Sequence, residues 1–269
     1  MKSLHLLENQ YAGKRCAFLA PGPSLAEFDL NALDPDIITF GYQGVIPFCF
    51  EFWDTLRLDF YMCHDTAVMH FPFKKGKTII PERLKFYKNH LDTPIISKYE
   101  KVSPADFILQ SPLMHKSKLI FSSNGSYPHS KRFNIPHHPD WVKTNQSVLE
   151  KREVFTYELK NKYFRFPGAY STLPVCKNSF CAIAFPLLLY MGFSEIYLAG
   201  VDYSNNGEFY CKTDRTYGYI SREFKEFKFL MDFAMTLPHA PKIFSVKSDN
   251  VKVVAKDGFI NFSDISNLN

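Results

Sequence analysis

The stretch NSFCAIAFPLLLYMGFSEIYLAGVD, residues 178–202, constrains the fold more than any other part of the chain. It begins as a dense apolar run ending at Gly192, the composition of a buried helix closed by a glycine. Pro186 stands in the middle of that run, where a proline removes a backbone donor and crowds the carbonyl four residues back, so a kink is expected there. After Gly192 the residues 195–198 read as a strand that runs into Gly200 and Asp202. A helix, a glycine and a strand in immediate succession mark a crossover onto a parallel strand. The chain is therefore expected to be α/β, with ligands beyond the carboxyl ends of its parallel strands.

The rest of the chain is consistent with that layout. CAFLAPGPSLAEFDL, residues 16–30, reads as a strand, a tight turn and a helix start, in which Ser24 and Glu27 have capping-box spacing. Such a turn aims unpaired N–H groups and a helix dipole at one spot over Gly22, which suits a phosphate, but it also serves where a chain simply reverses. Short apolar runs at 36–42, 58–65, 77–80, 93–97 and 119–121 are expected strands, and KIFSV and VKVVAKDGFINF add strands near the end. SREFKEFKFLMDFAMTL is expected to be helical, with Phe224, Phe227, Leu230, Met231 and Ala234 on one face. Residues 122–165 are polar and proline-broken in their first half, and read as an insertion or lid within a single domain of residues 1–269. That length, at 46% hydrophobic residues, buries a sizeable core, and 27 Phe and 15 Tyr against 12 Gly mean that rings fill much of it.

Charge narrows the partners. Lys plus Arg exceed Asp plus Glu by 32 to 27, but the excess is spread over many segments, whereas a nucleic-acid reader concentrates it. The balance suits an anionic substrate, weak attraction to an anionic membrane surface, or ordinary solubility. Cys16, Cys49, Cys63, Cys176, Cys181 and Cys211 form no CxxC pair and read as buried thiols of a reducing compartment. The first residues lack a long apolar core, and no stretch has the length to span a bilayer, so the expected address is the cytoplasm or the inner face of the membrane.

Two motifs in order, APGPSLAEFDL near the start and GFSEIYLAGVDYSNNGEFY much later, resemble the bacterial CMP-sialic-acid-dependent sialyltransferases of the family 42 type. The related motility-associated-factor glycosyltransferases and a pterin pyrophosphokinase-like group share the layout. The resemblance covers about the first 70 residues and residues 179–248. It implies a Rossmann-like, mostly parallel sheet flanked by helices, a GT-A-like variant. The implied reaction passes a sialic or related nonulosonic acid from a CMP-activated donor to a glycan or glycoconjugate hydroxyl, with no cofactor and no metal. By the same resemblance Gly22, Pro23 and Ser24 lie under the nucleotide, and Asn178 and Ser179 start the helix that faces its phosphate. The segment from Asp202 through Asn206 and Gly207 closes over the ligand, and Tyr210 offers a hydroxyl to the departing phosphate, where new negative charge needs donors.

The chain also departs from that pattern. Pro21 replaces the usual asparagine of the first motif, and Tyr42-Gln43 and His64-Asp65 stand at the strand ends where those enzymes read cytidine or sugar with asparagines. No histidine lies in residues 212–221, where the family carries its general base. The candidates for that role are Asp214, His64 and His239; His64 is favoured for its strand-end position and for the ordinary imidazole pKa. Adjacent strand residues point to opposite faces, so only one of His64 and Asp65 is expected to enter the site. Asp202 serves equally as a turn or cap residue, and Tyr210 and Tyr217 equally as packing residues. His129, His137 and His138 lie in a proline-rich stretch without ligand spacing, and no metal site is expected. Two other readings remain: a diphosphokinase-like transfer from a nucleoside triphosphate, with Mg²⁺ held by Asp65 and Asp202, and a nucleotide- or glycan-binding protein without turnover.

Overall fold

Runs of β-branched and aromatic residues that are apolar on both faces form the centre of a sheet, because a strand covered on both sides has no polar face to keep. In the computed structural model, which describes residues 1–22, 25, 33–42, 45, 58–64, 78–79, 108–109, 113–123, 142–159, 164–174, 176, 179–201, 211–212 and 217–245, four such runs are β2 (Arg15–Leu19), β3 (Ile38–Tyr42), β4 (Phe60–Cys63) and β6 (Lys118–Ser122). They join β1 (Lys2–Ser3), β7 (Val154–Tyr157), β8 (Glu195–Ala199) and β10 (Lys242–Ser245) in one eight-stranded sheet, in the order β1-β7-β6-β4-β3-β2-β8-β10. Every pairing in it is parallel. The α/β, Rossmann-like expectation holds.

The strand order carries the functional information. From β2 the chain steps outward through β3, β4, β6 and β7, then returns to the opposite side of β2 with β8 and continues to β10. The direction of winding reverses between β2 and β8, and in open α/β sheets such a reversal opens a crevice at the carboxyl ends of the two strands.

The segment 122–165 contributes to the sheet through its described residues. They contain the short helix α1 (Gln146–Leu149) and β7, which pairs Leu119 with Val154 and Ser122 with Tyr157 and so belongs to the sheet. Val154, Phe155 and Tyr157, all buried, give that strand its apolar content inside an otherwise polar segment. The run at 77–80 also lies elsewhere than in the main sheet: β5 (Thr78–Ile79) pairs antiparallel with β9 (Cys211–Lys212). Residues 93–97 and 251–262, and the capping-box residues Ser24 and Glu27, lie outside the described residues.

One face of the sheet is covered by the helix read at 178–192. It opens as a π-helix, Phe180–Ala184, and continues as α2 (Phe185–Tyr190) with Pro186 in its first turn. The expected kink thus takes the form of a widened turn just before the proline, which has no N–H to close a regular one. Phe185, Leu187, Leu188, Leu189 and Tyr190 are all buried, each contributing on the order of 2 kcal/mol. Gly192 ends the helix at φ 84°, and the N-terminal segment satisfies the last carbonyls: Asn9 donates to Tyr190 O at 2.9 Å and Tyr11 to Met191 O at 2.9 Å. α3 (Tyr217–Ala234) packs beside it through Phe227, Leu230, Met231 and Ala234, as the spacing predicts; the Phe224 side chain lies outside the described set. Phe227 meets Phe180 at 5.6 Å and Phe185 at 5.3 Å between ring centroids.

Cys16, Cys63, Cys176 and Cys181 are buried thiols, with no disulfide among the described residues. Burial pushes the Cys16 thiol well up and the Cys176 thiol to about 12, so both stay protonated. Among the described residues no helix is long and apolar enough to cross a membrane.

Candidate functional site

The carboxyl ends of β2 and β8 are stitched together by their backbones. Ala20 donates its N–H to Ala199 O at 2.8 Å, and Gly22 donates to Gly200 O at 2.9 Å. Leu25 then donates to Gly22 O at 3.1 Å, which closes the turn out of β2. Gly200 has φ 71°, and a Cβ built on it would stand 1.9 Å from Ala20 O and 2.9 Å from Gly22 N. Only glycine permits the two strand exits to pass this closely. The two sequence motifs therefore meet at one point, the reversal of the sheet. At Gly22 the turn does not offer an unpaired N–H, because Gly200 has accepted it.

One strand further along, Tyr42 ends β3 and shares a hydrogen bond between its hydroxyl and that of Ser179. Ser179 is the residue before the π-helix, so this bond ties the strand end to the start of the helix that covers it. The Tyr42 ring packs against Phe18 at 5.5 Å and Phe180 at 6.4 Å, which also meet each other at 5.2 Å. Two hydroxyls are thus fixed against a floor of rings. Rigid hydroxyls of this kind can donate to or accept from a ligand oxygen without first losing rotational freedom.

His64 follows β4 directly. Its Nδ1 lies 2.7 Å from the Tyr157 hydroxyl at the end of β7, and the two rings are nearly parallel, 9° apart. Burial lowers the His64 pKa to about 4, so the imidazole is neutral at neutral pH and a weaker base than a free histidine. Burial also pushes the Tyr157 phenol well above its ordinary value, with the neighbouring Tyr42 and Cys63 acting in the same direction. The favourable pKa that the sequence suggests for His64 as a general base is therefore absent.

Of the residues expected at the site, Gly22, Tyr42, His64 and Ser179 are described, and they fall at the carboxyl ends of β2, β3 and β4 and at the helix start. Pro23, Ser24, Gln43, Asp65, Asn178, Asp202, Asn206, Gly207, Tyr210 and Asp214 lie outside the described residues, as do His129, His137 and His138. His239 is exposed on the turn between α3 and β10, at the amino edge of the sheet and away from the strand ends. Tyr157 is the residue that sequence reasoning does not place. It lies in the segment expected to be a lid, whereas Gly200 falls at a strand end expected to converge on the site, and only its close approach to Ala20 and Gly22 is new. Among the described residues no group of three His, Cys, Asp or Glu side chains converges as a metal site would require.

No family model matches the chain, and no curated protein matches it. Solved structures do. The sialyltransferase CstII from Campylobacter jejuni in complex with cytidine-5′-monophosphate is 15% identical, with 87% of this chain covering 80% of that one at a TM-score of 0.34. CST-II in complex with a trisaccharide acceptor and CMP is 14% identical, with coverage of 93% and 88% and a TM-score of 0.43. The monofunctional alpha-2,3-sialyltransferase Cst-I from Campylobacter jejuni is 12% identical, with coverage of 93% and 82% and a TM-score of 0.41. The fold assignment stands on the strand order and direction alone.

Proposed function

We propose that the protein is a glycosyltransferase that moves a sialic or related nonulosonic acid from a CMP-activated donor to a glycan or glycoconjugate hydroxyl. The observation that carries the reading is the meeting of the two motifs. The strand of APGPSL and the strand of EIYLAG are neighbours, on either side of the point where the sheet reverses. That is where an open α/β sheet takes its ligand. In this reading the donor phosphate lies over the Gly22 turn with the Ser179 hydroxyl beside it, and Tyr42 and His64 line the side on which base or sugar is read. In the same reading Pro23 and Ser24 belong with Gly22 to the turn under the nucleotide, Asn178 belongs with Ser179 to the helix start that faces its phosphate, Gln43 and Asp65 belong to the strand ends where base or sugar is read, and Asp202, Asn206, Gly207 and Tyr210 close over the ligand. Asp214 becomes the candidate to take the acceptor proton, since His64 Nδ1 is already engaged by the Tyr157 hydroxyl and His239 sits at the amino edge of the sheet. The transfer needs no cofactor, and the proposed setting is the cytoplasm, at or near the inner face of the membrane.

A thermal-shift panel of CMP, CDP, ATP and GTP, each with and without Mg²⁺, tests the reading, because a ligand that binds only the folded state raises the unfolding midpoint. Stabilisation by CMP without metal is the expected result. Stabilisation by ATP or GTP only in the presence of Mg²⁺ would replace it with a phosphoryl or diphosphoryl transfer.

A further inference from the structure

We propose that Tyr157 holds His64 in the Nε2–H tautomer, so that His64 serves this strand end as a hydrogen-bond donor and Tyr157 is a positioning residue. The inference rests on the transferase reading only in naming the step His64 does not serve, the deprotonation of the acceptor.

The geometry starts from register. β4 pairs Cys63 with Phe121, and β6 pairs Ser122 with Tyr157, so the residue after Cys63 comes level with Ser122, and His64, Ser122 and Tyr157 form one row across three strands. His64 and Tyr157 stand two strands apart, about 9.5 Å by the usual strand spacing. Their side chains nonetheless meet at 2.7 Å, with ring centroids 6.2 Å apart. They can do so because the residue between them is small. Ser122 is fully buried and its hydroxyl has no hydrogen-bond partner among the described residues, so at this position it contributes its size. A large side chain there would occupy the space over which the two rings join.

The direction of the bond follows from what the phenol can do. The Tyr157 hydroxyl is buried and has one hydrogen, and His64 Nδ1 is the hydrogen-bonding group it meets. A buried donor left without an acceptor costs about 1–3 kcal/mol, whereas an unused lone pair on the same oxygen costs less. The phenol therefore donates to Nδ1. A neutral imidazole carries one N–H, and with Nδ1 accepting, the proton resides on Nε2. The neutrality of His64 is supported separately by its burial.

Long-range ¹H–¹⁵N spectra of protein labelled in the histidine rings read the tautomer without ligand or turnover, with His64 assigned by the signals that disappear in His64→Asn. At pH 7 the parent is expected to show the Nε2–H pattern for His64. Tyr157→Phe keeps the ring and removes the donor, and it should shift His64 toward a mixture with Nδ1–H; Ser122→Ala should leave the parent pattern in place. An Nδ1–H pattern in the parent overturns the proposal, as does a Tyr157→Phe spectrum unchanged from the parent. If Tyr157→Phe does not fold, the parent spectrum decides alone. Loss of CMP binding would count against the transferase reading and leave the tautomer where the spectra put it.

Discussion

Gly200→Ala is the substitution whose effect the structure specifies most closely. Its φ of 71° is a backbone conformation that costs an L side chain about 1–2 kcal/mol. The new methyl would also stand 1.9 Å from Ala20 O and 2.7 Å from Ala20 C, against backbone rather than a movable side chain, so one of the two strand exits must shift. Any shift stretches the bonds from Gly22 N–H to Gly200 O and from Ala20 N–H to Ala199 O, each worth ~1 kcal/mol net. The sum is about 3–4 kcal/mol. Gly13 provides the control: it has a similar φ of 76° but nothing within 4 Å of a built Cβ, so Gly13→Ala carries only the conformational cost, about 1–2 kcal/mol. Urea unfolding of the parent and both variants measures the difference, which should be about 2 kcal/mol in favour of Gly13→Ala with m unchanged. Equal midpoints for the two variants would refute the claim that the strand exits are held in backbone contact.

Further outcomes follow from the same geometry. Ser179→Ala should weaken CMP binding about fivefold, the worth of one hydrogen bond of ~1 kcal/mol, and an unchanged titration removes Ser179 from the site. Gly22→Val should abolish nucleotide binding in a protein that still folds; binding equal to the parent's would remove the turn from the site. His64 gives a pH signature. Its folded pKa, about 4, lies below the unfolded 6.5, so the unfolded chain takes up the proton first as pH falls. The resulting stability is present above pH 6.5 and is lost as pH falls toward 4, about 3.5 kcal/mol at most from the pKa difference at ~1.4 kcal/mol per pH unit. His64→Asn should flatten that part of the stability profile, and an unchanged slope would show that other groups carry it.

The sheet was legible because its strands are short apolar runs between turn residues, and β2, β3, β4, β6 and β8 fall where those runs lie. β7 was not, because Val154, Phe155 and Tyr157 are embedded among charged residues and a four-residue run without alternation is a weak signal. Nor was β1, a two-residue strand whose pairing with Phe155 and Thr156 joins positions far apart in the chain. At the site, the positions of Gly22, Tyr42, His64 and Ser179 near the strand ends could be read from the motifs. Their partners could not. The bond between Tyr42 and Ser179, the bond between His64 and Tyr157, and the lowered pKa of His64 all depend on burial and on register between strands, which the order of residues does not state.

A crystal structure of the protein grown with CMP tests the central claim most directly, because it reports where the nucleotide sits as well as whether it binds. The account predicts CMP across the carboxyl ends of β2, β3 and β8, with a phosphate oxygen within hydrogen-bond distance of the Ser179 hydroxyl and over the Gly22 turn. CMP seated away from those strand ends, or a saturating concentration that leaves them without nucleotide, would contradict it.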